Sequence, residues 1–90
     1  MSEWQVKLHR QAVKDAELIR RAGLEPQVKE LIALLRQDPF KNPPQYEKLV
    51  GDLKGFYSRR INRQHRLVYT VDQDARIVRI QSMWTHYESV

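Results

Sequence analysis

The chain has 90 residues, 41% of them hydrophobic and 30% charged, with a formal net charge of +5 at pH 7. It is too apolar to be disordered and too short for two cores, so one small domain over residues 1–90 is expected. The absence of cysteine excludes disulfides, thiolate metal sites and a cysteine nucleophile, and with no signal-type apolar run in "MSEWQVKLHRQ" and no bilayer-length stretch the expected location is the cytoplasm.

In "WQVKL", Trp4, Val6 and Leu8 alternate with Gln5 and Lys7, the period of a half-buried strand. From Arg10 to Ala22 the apolar Ala12, Val13, Ala16, Ile19 and Ala22 recur at helical spacing, and Gly23 supplies a C-terminal stop. Pro26 suits the first turn of a second helix, whose stripe is Val28, Leu31, Ile32 and Leu35 and which ends near Asp38-Pro39. Residues 39–49, "PFKNPPQYEKL", hold three of the four prolines and are expected to form a stiff, extended connector. Three strands are predicted beyond it, over Gly55–Ile61, His65–Val71 and Arg76–Trp84, with "DQDA" turning between the last two. The expected fold class is α+β in the order β-α-α-β-β-β, an antiparallel-rich sheet with both N-terminal helices packed on one face and the other face left for function.

The charge is localised. Residues 41–66 hold Lys41, Lys48, Lys54, Arg59, Arg60, Arg63 and Arg66 against Glu47 and Asp52, so this segment carries the whole net charge and the rest of the chain is neutral as a set. Such a segment is the footprint expected for nucleic acid, an acidic protein partner or an anionic membrane surface, or else a solvated, solubilising face. If the turn after Ile61 spans Asn62, Arg63 and Gln64, Arg60 stands directly opposite Arg66. Like charges so opposed are destabilising unless an anion lies between them; a two-residue turn would instead oppose Arg60 to Leu67. Arg59 and Arg60 are adjacent and point to opposite faces, so the four arginines cannot all serve one site. A guanidinium pair fits phosphate better than a membrane surface, making an RNA or DNA backbone the leading ligand class. Phe56, Tyr57 and Tyr87 are candidates to stack on bases, although most aromatics in so small a domain are core.

The run Glu47-x-Leu49-x3-Leu53-x-Gly55-x2-Ser58-Arg59-Arg60-Ile61-x3-His65-Arg66-Leu67-Val68-Tyr69, with His86-Tyr87 beyond it, resembles the YoeB/Txe toxins of bacterial toxin–antitoxin systems, within the RelE-like superfamily. The resemblance is specific from Pro39 to Tyr87. It implies a RelE-like fold and a ribosome-dependent endoribonuclease that cleaves messenger RNA in the ribosomal A site. By position it makes Glu47 the general base, Arg66 the main transition-state stabiliser and His86 the general acid, with Arg60 holding phosphate and Tyr87 positioning the RNA. Arg59 is counted with the phosphate-binding group. Where the family commonly has a lysine, this chain has Val50, which leaves Lys48 and Lys54 as the neighbouring cations for that charge.

Chemically, Glu, Arg and His suffice. RNA carries its own nucleophile in the 2′-OH, so cleavage needs a base for that proton, cations for the charged phosphorane and an acid for the leaving 5′-oxygen. No cofactor or metal is expected, since His9, His65 and His86 are isolated in the sequence and the acidic residues scattered. His86, with a reference pKa of about 6.5, suits an acid near neutrality, whereas His65 beside the turn is a packing or capping residue and His9 a structural or solvent-facing one. The expected partners are the ribosome with its messenger and a cognate acidic antitoxin of the YefM/Axe kind; homodimers are frequent in the family. The competing readings are a non-catalytic RNA- or ribosome-binding module and a gyrase-directed toxin of the same superfamily.

Overall fold

A computed structural model describes residues 3–85. Its elements are β1 (Gln5–Leu8), α1 (Arg10–Arg21), α2 (Glu25–Gln37), β2 (Tyr46–Lys48), a 3-10 turn (Gly51–Leu53), β3 (Tyr57–Arg60), β4 (Arg66–Asp72) and β5 (Ile77–Thr85). They form a five-stranded sheet in the order β1-β5-β4-β3-β2, with β1 parallel to β5 and every other pair antiparallel.

Local chemistry explains the helix ends. His9 caps α1 by accepting a hydrogen bond from the Gln11 N–H, which gives it the structural role expected of it. At the other end Gly23, at φ +74°, turns the chain into the left-handed region, and the Leu24 and Gly23 N–H groups bond back to the carbonyls of Ile19 and Arg20. This paired closure is where glycine escapes the strain that a Cβ would impose. Pro26 lies in the first turn of α2, as its missing N–H favours.

The helices share one sheet face. Ala12 and Ile19 of α1, Leu24 just before α2, and Val28 and Leu35 of α2 bury against Leu67, Tyr69, Val78 and Ile80. Each of the larger aliphatic side chains contributes roughly 1.5–3 kcal/mol on burial. Because strand side chains alternate, Arg66, Val68 and Thr70 of β4 and Arg79 of β5 stand on the face away from the helices.

Two features differ from the sequence expectation. The proline-rich connector closes with a short edge strand, β2, making the order β-α-α-β-β-β-β; three residues after two prolines carry too little periodicity to be seen, and an edge position tolerates the prolines beside it. Second, β5 is bulged. Tyr69 pairs with Ile80, Val68 with Ser82 and Arg66 with Thr85, so β5 takes extra residues against a regular β4. Asp15, 4% exposed, accepts the Met83 N–H at 2.9 Å through one carboxylate oxygen and the Gln11 side-chain amide at 2.9 Å through the other. A buried carboxylate in α1 thus satisfies a backbone donor at the irregular end of β5.

Asp15→Ala is expected to cost about 1–3 kcal/mol by leaving that N–H unpaired. It should appear as a lower urea midpoint with an unchanged slope. Asp15→Asn, which keeps an acceptor, should recover most of the loss, and a wild-type midpoint for the alanine variant would rule out this anchoring role.

Candidate active site

The β3–β4 hairpin turns through Asn62, Arg63 and Gln64. The Asn62 side-chain oxygen accepts the N–H groups of Gln64 and His65 at 2.9 and 2.8 Å, and the Ile61 N–H reaches the His65 carbonyl at 2.9 Å. This side-chain-closed turn sets the register, so Arg60 does pair with Arg66. His65 is buried with its ring stacked on Trp84, centroids 3.8 Å apart; it packs, bracing the start of β4 against the end of β5.

Beside the hairpin, β2 pairs Glu47 with Ser58. Glu47, Ser58, Arg60 and Arg66 consequently share the sheet face that the helices leave uncovered. They line a cleft of about 380 Å³ together with Pro44, Gln45 and, from α2, Leu31. Within it an Arg66 N–H donates to a Glu47 carboxylate oxygen at 2.9 Å and to the Ser58 hydroxyl at 3.3 Å. The Glu47 side chain is 56% exposed and that of Arg66 20%, and an ion pair this open contributes about 0–1 kcal/mol. It orders two side chains at little cost to a ligand that replaces it. Ser58 was not anticipated from sequence, although its alternation with Arg60 was the available signal.

The structure does not make Arg59 a phosphate ligand. Arg59 is 1% exposed, on the opposite face from Arg60, and though it forms part of the cleft wall four of its five N–H donors go to protein oxygens. They reach the carbonyls of Pro44, Pro39 and Lys41 at 2.7, 2.9 and 2.9 Å and the Tyr69 hydroxyl at 3.1 Å. Tyr57 likewise belongs to an aromatic cluster with Phe40, Tyr46 and Tyr69. Lys48 pairs with Tyr57 and so lies on the face away from Glu47. With Lys54 it flanks a separate groove of about 420 Å³ beside Val50, which is 81% exposed. Neither lysine lines the Glu47–Arg66 cleft. Arg63 is exposed in the turn. His86 and Tyr87 lie outside the described residues; β5 is described as far as Thr85, the backbone partner of Arg66.

Among the described residues no three of His, Asp and Glu come together as a metal-binding group, and no helix is long and apolar enough to cross a membrane. A carboxylate, two opposed guanidiniums and a hydroxyl on one open face can accept a proton and hold a phosphate between cations.

The helix-backed five-stranded sheet is that of the small toxin domains of RelE-like fold. A family model for the YoeB-like toxin of bacterial type II toxin–antitoxin systems matches residues 7–87, and the chain belongs to that family. The toxin YoeB of Synechocystis is 40% identical over 75 residues, covering 82% of this chain and 77% of the relative. Among solved structures, the YoeB/ParE toxin from Agrobacterium tumefaciens superposes with a TM-score of 0.82 at 28% identity, covering 92% of this chain and 99% of that one. Staphylococcus aureus YoeB, solved in complex with YefM and as a dimer, superposes at 0.76 with 33% identity, covering 93% and 98%.

Two arginines adjacent in sequence should respond oppositely. Arg59→Ala strands three carbonyls and is expected to cost about 3 kcal/mol or more in urea unfolding. Arg60→Ala, exposed, should change stability by less than about 0.5 kcal/mol. Equal losses would contradict the division between an inner and an outer arginine.

Burial pushes the Tyr69 phenol up to about 12, against a smaller lowering by the Arg59 guanidinium. The unfolded chain, with a phenol near its reference value of about 10, releases that proton first, so folding stability should hold below about pH 10 and fall as pH rises toward 12. Tyr69→Phe should flatten this alkaline slope in denaturation curves collected across that range; an unchanged slope would assign it to another group.

Proposed function

We propose that this chain is a ribosome-dependent endoribonuclease that cuts messenger RNA in the ribosomal A site and is held inactive by an acidic antitoxin. The observation that carries the reading is the Glu47 carboxylate 2.9 Å from Arg66, with Arg60 paired opposite Arg66 on the same uncovered face. A base is thereby set beside the cations that its substrate needs.

An incoming phosphate takes over the donors that Arg66 lends to Glu47 and frees the carboxylate to accept the 2′-OH proton. The 2′-oxygen attacks phosphorus, Arg66 and Arg60 stabilise the added charge on the phosphorane, and the P–O5′ bond breaks as His86 gives a proton to the departing oxygen. The products are a 2′,3′-cyclic phosphate and a 5′-hydroxyl end. Tyr87 positions the RNA. In a resting cell the exposed cations call for a segment rich in Asp and Glu, and the Staphylococcus aureus relative is solved in complex with YefM.

Primer extension on a translated messenger, with and without ribosomes, tests this. Cuts should appear only with ribosomes and disappear in His86→Ala. Glu47→Gln should slow single-turnover cleavage by about 10²–10⁴-fold and Arg66→Ala by about 10²–10³-fold, each with ribosome binding retained. Binding without cuts in the wild-type protein would instead make this an RNA- or ribosome-binding module.

A further inference from the structure

A second group of cations lies on the same open face, outside the cleft. Lys7 of β1 and Arg79 of β5 are direct partners in the parallel pair. Val78 and Ile80, on either side of Arg79, are fully buried in the core, so Arg79 and its partner Lys7 project away from the helices. With Arg10, the first residue of α1, they line an open cavity of about 620 Å³.

This arrangement is unfavourable on its own. Like charges directly opposed across a strand pair repel, and Arg10 sits at the positive end of the α1 dipole. Among the described residues none of the three side chains has an ion-pair or hydrogen-bond partner.

The sheet connects this patch to the cleft. Thr70 of β4 is the partner of Arg79 and shares a face with Val68 and Arg66 four residues away along the strand. Two strand spacings and four residues place Lys7 roughly 17 Å from Arg66, a span that a few nucleotides of extended single strand bridge.

We propose that Lys7, Arg79 and Arg10 form a second phosphate-binding position, which takes the backbone of the RNA strand occupying the Glu47–Arg66 cleft a few nucleotides from the bond cut. The proposal rests on the reading of that cleft as an RNA site. It extends the ligand across the sheet in a diagonal from β3 to β1, where phosphate contacts set register and orientation.

The test uses the full chain, a 2′-O-methyl dinucleotide that fills the cleft alone, and a 2′-O-methyl oligonucleotide of roughly ten nucleotides, with affinity followed by fluorescence anisotropy over a salt series. For Lys7→Gln/Arg79→Gln, the slope of log affinity against log salt for the longer strand should shrink by about 0.7, for the one phosphate no longer neutralised. Dinucleotide binding should be unchanged. Lys14→Gln/Lys29→Gln removes the same charge from the helices and should behave as wild type, with thermal unfolding confirming that both variants fold. An unchanged slope with the longer strand overturns the second position and leaves the cleft reading standing. A loss confined to binding of messenger-free ribosomes also overturns it, by assigning the patch to ribosomal RNA. Wild-type protein that neither binds the strands nor cuts on ribosomes overturns the cleft reading together with the proposal.

Discussion

The site depends on one buried guanidinium. Arg59 has neutral oxygens as its hydrogen-bond partners, three connector carbonyls and the Tyr69 hydroxyl, with the Tyr46 ring 5.0 Å from its guanidinium carbon. Desolvating a charge costs several kcal/mol unless its donors are met, and here that demand fixes the path of a segment with few apolar residues to bury. The same Tyr69 hydroxyl donates to the Pro39 carbonyl at 2.9 Å. Residues 39–44 are thereby fastened over the sheet, and the chain enters β2 in the register that sets Glu47 beside Ser58.

Around that anchor the sheet keeps its two faces chemically separate. The helix side holds the core and the Phe40, Tyr46, Tyr57 and Tyr69 cluster. The other side holds opposed cations, Arg60 with Arg66 and Lys7 with Arg79, together with the exposed carboxylate of Glu47. Opposed like charges lower stability, so their concentration on the face the helices leave uncovered is not a product of packing. The half-open Glu47–Arg66 pair tempers the repulsion in the cleft without holding it shut.

Much of this was legible beforehand. The periodicity of Val28, Leu31, Ile32 and Leu35 and the stop at Gly23 located both helices to within a residue or two, because caps and stripes are local. The Arg60–Arg66 pairing followed from a three-residue turn, which the Asn62 side chain enforces. Missed were β2, the β5 bulges and Asp15 as their anchor, each of which depends on a partner remote in the chain: Met83 is held by a residue 68 positions away. Arg59 was grouped with the phosphate-binding arginines because proximity in sequence does not reveal whether buried carbonyls are waiting for a donor.

By itself the sequence determined the composition of each face, since alternation along a strand and the 3.6-residue helical period are properties of the backbone. It also determined that Arg59 and Arg60 must part company, and it carried the motif between Glu47 and Tyr69 from which the family resemblance is read. Only the tertiary structure decided which arginine went inside, because that choice rests on the carbonyls of Pro39, Lys41 and Pro44, 15 to 20 residues away. It alone gathered Lys7, Arg10 and Arg79, whose charges vanish in any average along the chain. Charge acts through space, and strand order rather than residue order sets which cations meet.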